Sequence, residues 1–71
     1  MGEPKKCGEK FEVSGSGKTK AEAKKKAQAN ANAACKRLNK KCDTAQDAGP
    51  GEYHQTPQEV TYVSMFVCIG V

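Results

Sequence analysis

The feature that most constrains this chain is a helix whose apolar side is made almost wholly of alanine. Thr19 is a good N-cap, and Glu22, three positions later, completes a capping box. From Lys20 onward the residues are strong helix formers, which predicts a helix over 19–41. At 100° per residue, Ala23, Ala27, Ala31, Ala34, Cys35 and Leu38 fall on one arc of roughly 120°. Cys42 joins that arc if the helix runs so far. Alanines bring a helix backbone close to whatever it packs on, but each buries little area. The partner must therefore be flat, and stability must come partly from elsewhere.

With 71 residues there is room for one domain, 1–71, and one small core. The large apolar side chains are few: Phe11, Val13, Leu38, Tyr53 and a dense run from Val60 to Val71. Such a core rarely supplies more than about 3–5 kcal/mol. The further sources are disulfides, a metal, or burial against another chain. Four cysteines are present, Cys7, Cys35, Cys42 and Cys68. An even count in a short chain favours two disulfides, with three connectivities available. The alternatives are free thiols and a zinc site. No Cys-x-x-Cys pair exists and the single histidine, His54, is remote, so the spacing argues against zinc. Cys35 lies on the helix's apolar arc, and Cys68 shares a strand face with Phe66. The expected bridges are Cys35–Cys68 and Cys7–Cys42, each worth about 3–4 kcal/mol in the chain-entropy model. No cofactor is expected.

Disulfides imply an oxidising compartment. Met1 is followed by Gly2, Glu3, Pro4, Lys5 and Lys6 without an apolar stretch. The expectation is a secreted or periplasmic protein with its leader removed, and the alternative is a cytoplasmic protein with reduced thiols. No run reaches the ~18–20 apolar residues of a membrane span.

The remaining elements are strands. Phe11 and Val13 alternate with polar neighbours, which predicts a strand over 10–14, ended by Ser14-Gly15-Ser16-Gly17. Residues 43–57 hold Gly49, Pro50, Gly51 and Pro57 and read as a loop, with room for a short strand from Glu52 to Gln55. The uncharged stretch 60–70 is the firmest strand. One face carries Val63, Met65, Val67, Ile69 and Val71, and the other carries Tyr62, Phe66 and Cys68. A strand apolar on both faces is covered on both. With one helix available, the second cover is expected to be another copy of the protein, giving a homo-oligomer through Val60–Val71; the alternative is a single-layer sheet with a partly exposed apolar face. The fold class is α+β: strand, helix, strand, with one alanine-rich amphipathic helix on a small antiparallel sheet, stapled by disulfides.

Charge is segregated. Lys18 to Lys41 holds nine cationic residues and one acid, Glu22, while the rest holds three lysines and seven acids. A basic rod of this kind attracts polyanions, whether nucleic acid, glycan or an anionic surface. Lys18, Lys20, Lys24, Lys25 and Lys26 are the candidate anion-binding residues. The plain alternative is that these lysines keep an alanine-rich helix in solution. No catalytic constellation is evident, and His54 lacks a nucleophile and an orienting partner nearby in sequence.

Gly15-Ser16-Gly17-Lys18-Thr19 between a strand and a helix looks like an NTPase phosphate loop. Three features oppose that reading. Glu12 stands where the leading glycine belongs, no strand-end aspartate is available for magnesium, and the chain is too short for the parallel sheet. The longer stretch from Glu9 to Ala27 resembles the C-terminal half of a double-stranded-RNA-binding domain, which ends in a strand, a G-x-G-x-S-K-K-x-A-K loop and an alanine-rich helix. The resemblance implies phosphate contacts from Lys20 and Lys24, with Lys18 and Lys25 beside them. Thr19 replaces the family's serine and Ala21 its second lysine. Gly49-Pro50 with His54 resembles the family's minor-groove loop, but follows the helix instead of preceding it. A more general resemblance, on Ala23, Ala27, Ala31, Cys35, Phe66 and Cys68, is to small exported bacterial β-α-β proteins with cysteines. It implies a compartment more than a function. The expected role is a non-enzymatic binding domain with an anionic partner, the alternative being a duplex-RNA-binding module.

Overall fold

The structure is a computed structural model and describes residues 7–38 and 40–69. The elements run β1 (Lys10–Gly17), α1 (Lys20–Leu38), a single 3-10 turn (Lys40–Cys42), β2 (Thr44–Asp47), β3 (Glu52–Gln55) and β4 (Val60–Ile69). The expected α+β class holds: one helix lies on an antiparallel four-stranded sheet, and two disulfides close it.

β4 is the centre of the sheet. β1 pairs along one edge of it, from Lys10 opposite Val67 to Gly17 opposite Val60. β2 and β3 lie end to end along the other edge: Thr44 to Asp47 against Ile69 to Phe66, then Glu52 to Gln55 against Val63 to Val60. Between them, residues 48–51 interrupt the ladder around Met65 and Ser64, a two-residue offset in register. The Gly49–Pro50 peptide there is cis.

Period-two alternation places Val60, Tyr62, Ser64, Phe66 and Cys68 beneath the helix. Phe11 lies directly across from Phe66 and Val13 across from Ser64, and all but Ser64 belong to the buried apolar core. The helix contributes Ala23, Ala27, Ala31, Ala34 and Cys35, as its periodicity predicts. Thr19 caps it: the Glu22 amide donates to Thr19 Oγ1 at 3.1 Å and the Ala23 amide to the Thr19 carbonyl at 3.0 Å. Glu22 in the first turn and Lys36 and Arg37 in the last complement the helix dipole.

Three boundaries differ from the sequence expectation. β1 does not end at Ser14 but continues to Gly17. Its two glycines mark the place where the helix settles on the sheet. A Cβ on Gly15 would meet the Ala27 amide nitrogen, with the Lys26 carbonyl carbon at 2.7 Å and the Ala23 carbonyl oxygen at 2.8 Å. The α-helix stops at Leu38 rather than 41, and Cys42 is delivered to the core by the 3-10 turn. The stretch 43–57 is not simply a loop: it carries the short strand expected at Glu52–Gln55 and also β2, whose inward residues, Ala45 and Asp47, are a small side chain and a charged one and do not register as apolar alternation. Val71 lies outside the described residues, as do the last residues of the expected strand 60–70 beyond Ile69.

Both expected bridges are present. Cys35–Cys68 ties the helix to β4, and Cys7–Cys42 ties the segment before β1 to the 3-10 turn. No cysteine is left as a thiol.

Candidate functional site

One helix ridge, Lys20–Lys24–Gln28–Asn32, runs at four-residue spacing along the side facing β2 and β3. Its lower half closes the edge of β2. Asn32 Oδ1 accepts the Ala45 amide at 2.8 Å, and Gln28 Nε2 donates to the Ala45 carbonyl at 2.7 Å. Gln28 Nε2 also donates to Asn32 Oδ1 at 3.1 Å, so the two amides form one unit. Together they stand in for a neighbouring strand. On the opposite side of the helix, Asn30 Nδ2 donates to the Ser14 carbonyl of β1 at 3.0 Å. The amide side chains that look like solvent-facing filler in the sequence are thus stitches between helix and sheet.

The upper half of the ridge is cationic. Lys20 Nζ lies 5.3 Å from the Tyr53 ring centroid, and Lys24 Nζ lies 5.9 Å from that of Tyr62. The two rings are 4.9 Å apart and tilted. Beneath Lys24 sits a polar cluster. Asp47 Oδ1 accepts from Ser64 Oγ at 2.5 Å and from the Gly49 amide at 2.8 Å, while Asp47 Oδ2 accepts from the Tyr62 hydroxyl. Burial raises the Asp47 carboxyl, but the bonds from Ser64, Tyr62 and Gly49 and the charge of Lys24 outweigh it, leaving it below the ordinary value of 3.8. The bond to Asp47, then burial, pushes the Tyr62 hydroxyl above its ordinary 10.0. Gly51 lets the Tyr62 ring pass, since a Cβ there would collide with the ring and its hydroxyl. The cluster welds the interruption between β2 and β3 to β4.

The sequence-predicted anion residues fall into two groups. Lys20 and Lys24 are exposed but turned toward Tyr53 and Tyr62. Lys18, Lys25 and Lys26 are exposed without that engagement, Lys18 in the turn before the helix and the other two on its outer side. The glycines before them are strand residues against which the helix backbone packs, so they leave no cradle for phosphate. His54 lies on the sheet face away from the helix, 3.4 Å from Glu52, and both are well exposed. Ser64 is 3% exposed and bonded to Asp47.

The sheet face away from the helix is open among the described residues. Thr61, Val63, Met65 and Val67 are half-buried and Ile69 is 38% exposed. A shallow depression of about 250 Å³ lies there, floored by Val63 and Met65 and flanked by Glu12 and Glu52. The molecule therefore has a cationic helix side and a sheet side with an apolar centre and acidic flanks. No described helix is long and apolar enough to cross a membrane. Comparison with known family models, characterised proteins and solved structures finds no match for this chain.

Proposed function

We propose that this chain is a non-catalytic binding domain that presents the outer side of α1 to an anionic partner in an oxidising compartment, secreted or periplasmic after removal of a leader. The observation that carries the reading is a fold closed by two disulfides that carries a helix whose outer side is cationic and exposed. All four cysteines are oxidised, which fits an extracellular or other oxidising compartment. The one serine beside an acid, Ser64, is buried under the helix, and His54 is on the opposite face, which favours binding over catalysis.

Binding of this kind is electrostatic, so it falls steeply with salt. The test is fluorescence titration with heparin, duplex DNA and duplex RNA at several salt concentrations. Replacing Lys25 and Lys26 by Gln keeps helix propensity and is expected to lower the salt slope by about two. Absence of binding to all three at low salt would assign the lysines to solubility. Tighter binding of duplex RNA than of the other two would favour the RNA-module alternative, since only RNA offers the A-form groove and 2′-hydroxyls.

The same reading places a second copy of the chain over the open sheet face. Lys10 and Glu12 alternate on that face of β1, opposite Val67 and Met65, so two such faces related by a twofold axis offer each lysine a carboxylate. Val67→Lys is expected to dissociate the oligomer. A monomer by light scattering at high concentration would remove this part.

A further inference from the structure

From the hydrogen-bond pattern at the sheet edges, we infer that the outer edge of β3 is a strand-addition site for an extended acidic peptide. The inference rests on the anionic-partner reading and adds a second seat, with its own class of partner, beside the outer side of α1. In an antiparallel ladder, bonded and non-bonded pairs alternate. Along β2, the Ala48 amide donates to the Met65 carbonyl at 2.8 Å. Alternation then turns the N–H and C=O of Ala45 away from β4, which is where Asn32 and Gln28 meet them. The same rule applies to β3. The Thr56 amide donates to the Glu59 carbonyl at 2.8 Å, closing the β3–β4 hairpin. His54–Thr61 and Glu52–Val63 are then the bonded pairs, and Tyr53 and Gln55 direct their backbone groups outward.

Nothing among the described residues meets them. The ridge that supplies amides to β2 supplies Lys20 and Lys24 at the level of β3, and these stand over the tyrosine rings instead of bonding the strand. An added strand would lie ~4.8 Å beyond β3. Every second side chain of it would point to the helix side, beside Tyr53 and the Lys20 ammonium, 5.3 Å from that ring. The N-terminus of α1, from which Lys20 reaches Tyr53, brings the positive end of the helix dipole to the same side. Alternate Asp or Glu residues satisfy these positions. Main-chain bonds supply affinity, and the lysines supply the preference for acid.

The test uses an acetylated, amidated seven-residue peptide alternating Asp and Val, with two analogues: one N-methylated at its Asp amides, the other at its Val amides. Strand addition uses one alternate set of peptide amides. One analogue is therefore expected to bind about tenfold more weakly and the other like the parent. Exchange of the Tyr53 and Gln55 amides is expected to slow with peptide bound. Gln55→Pro removes an outward donor without touching the ladder to β4, and should weaken the peptide but not heparin. Equal binding of parent and both analogues, or heparin binding without peptide binding, overturns strand addition and leaves the polyanion reading intact. Loss of heparin binding as well would overturn that reading.

Discussion

Gly15 lies directly under the backbone of Ala27, with no side chain between strand and helix on the sheet side. Gly15→Ala is therefore expected to destabilise the fold by about 3 kcal/mol, because rigid helix backbone occupies the space and must lift as a body. Chemical denaturation of the oxidised protein measures it. Ser16→Ala, which removes the hydroxyl paired with Thr61 at 3.0 Å on the other face, serves as the mild comparison.

The two disulfides differ in access. Cys7 is exposed, whereas Cys35 and Cys68 are 0% and 1% exposed. Graded reduction with time-resolved alkylation and mass spectrometry is expected to show Cys7–Cys42 opening first, leaving an intermediate with Cys35–Cys68 intact. Removing either bridge by a double Cys→Ala change should cost about 3–4 kcal/mol. Simultaneous opening of both would contradict the difference in burial.

Asn32 is expected to matter more than its place on the helix flank implies. Asn32→Ala leaves the Ala45 amide without its acceptor, at about 1–2 kcal/mol, offset partly by alanine's better helix propensity. The net loss should be about 1 kcal/mol, with faster exchange at the Ala45 amide. Lys25→Ala, on the outer side, should be neutral or slightly stabilising. A stabilised Asn32→Ala protein would show that the edge bond is dispensable.

The Asp47–Tyr62 pair bounds the stable pH range at both ends. The Asp47 carboxyl is held below its ordinary value, so its contribution is present above about pH 3.8 and is lost as the pH falls through the lower folded value. Tyr62 is raised above 10.0, so its contribution is intact below that pH and is lost as the pH rises through the higher folded value. Asp47→Asn is expected to flatten the acid limb of a stability–pH curve and Tyr62→Phe the alkaline limb. Unchanged limbs would mean that the cluster gains nothing on folding.

Helix, central strand and bridges were legible because each leaves a periodic trace. The alanine arc put Cys35 inward and alternation put Cys68 beside Phe66, which pointed to their bridge and left Cys7–Cys42 as the second. β2 left no trace, since its inward side chains are an alanine and an aspartate and its edge is held by residues thirteen and seventeen positions away. In the sequence Gly15 and Gly17 look like a strand break, because close approach of another backbone and a turn demand the same residue. The Lys20–Tyr53 and Lys24–Tyr62 contacts were illegible too: which lysines on a basic helix meet rings depends on β3, which sequence reading located without its neighbours.

Because β4 pairs with β1, β2 and β3 yet follows all of them in the chain, no strand has its partner until the last of them has been made. A chain emerging from the N-terminal side offers Cys7, Cys35 and Cys42 to one another well before Cys68 arrives, and Cys35 has only wrong mates during that interval. Correct disulfide pairing thus becomes a matter of timing. Early oxidation stays on course only where it joins Cys7 to Cys42, and any early pairing of Cys35 must be undone by thiol–disulfide exchange before it can meet Cys68.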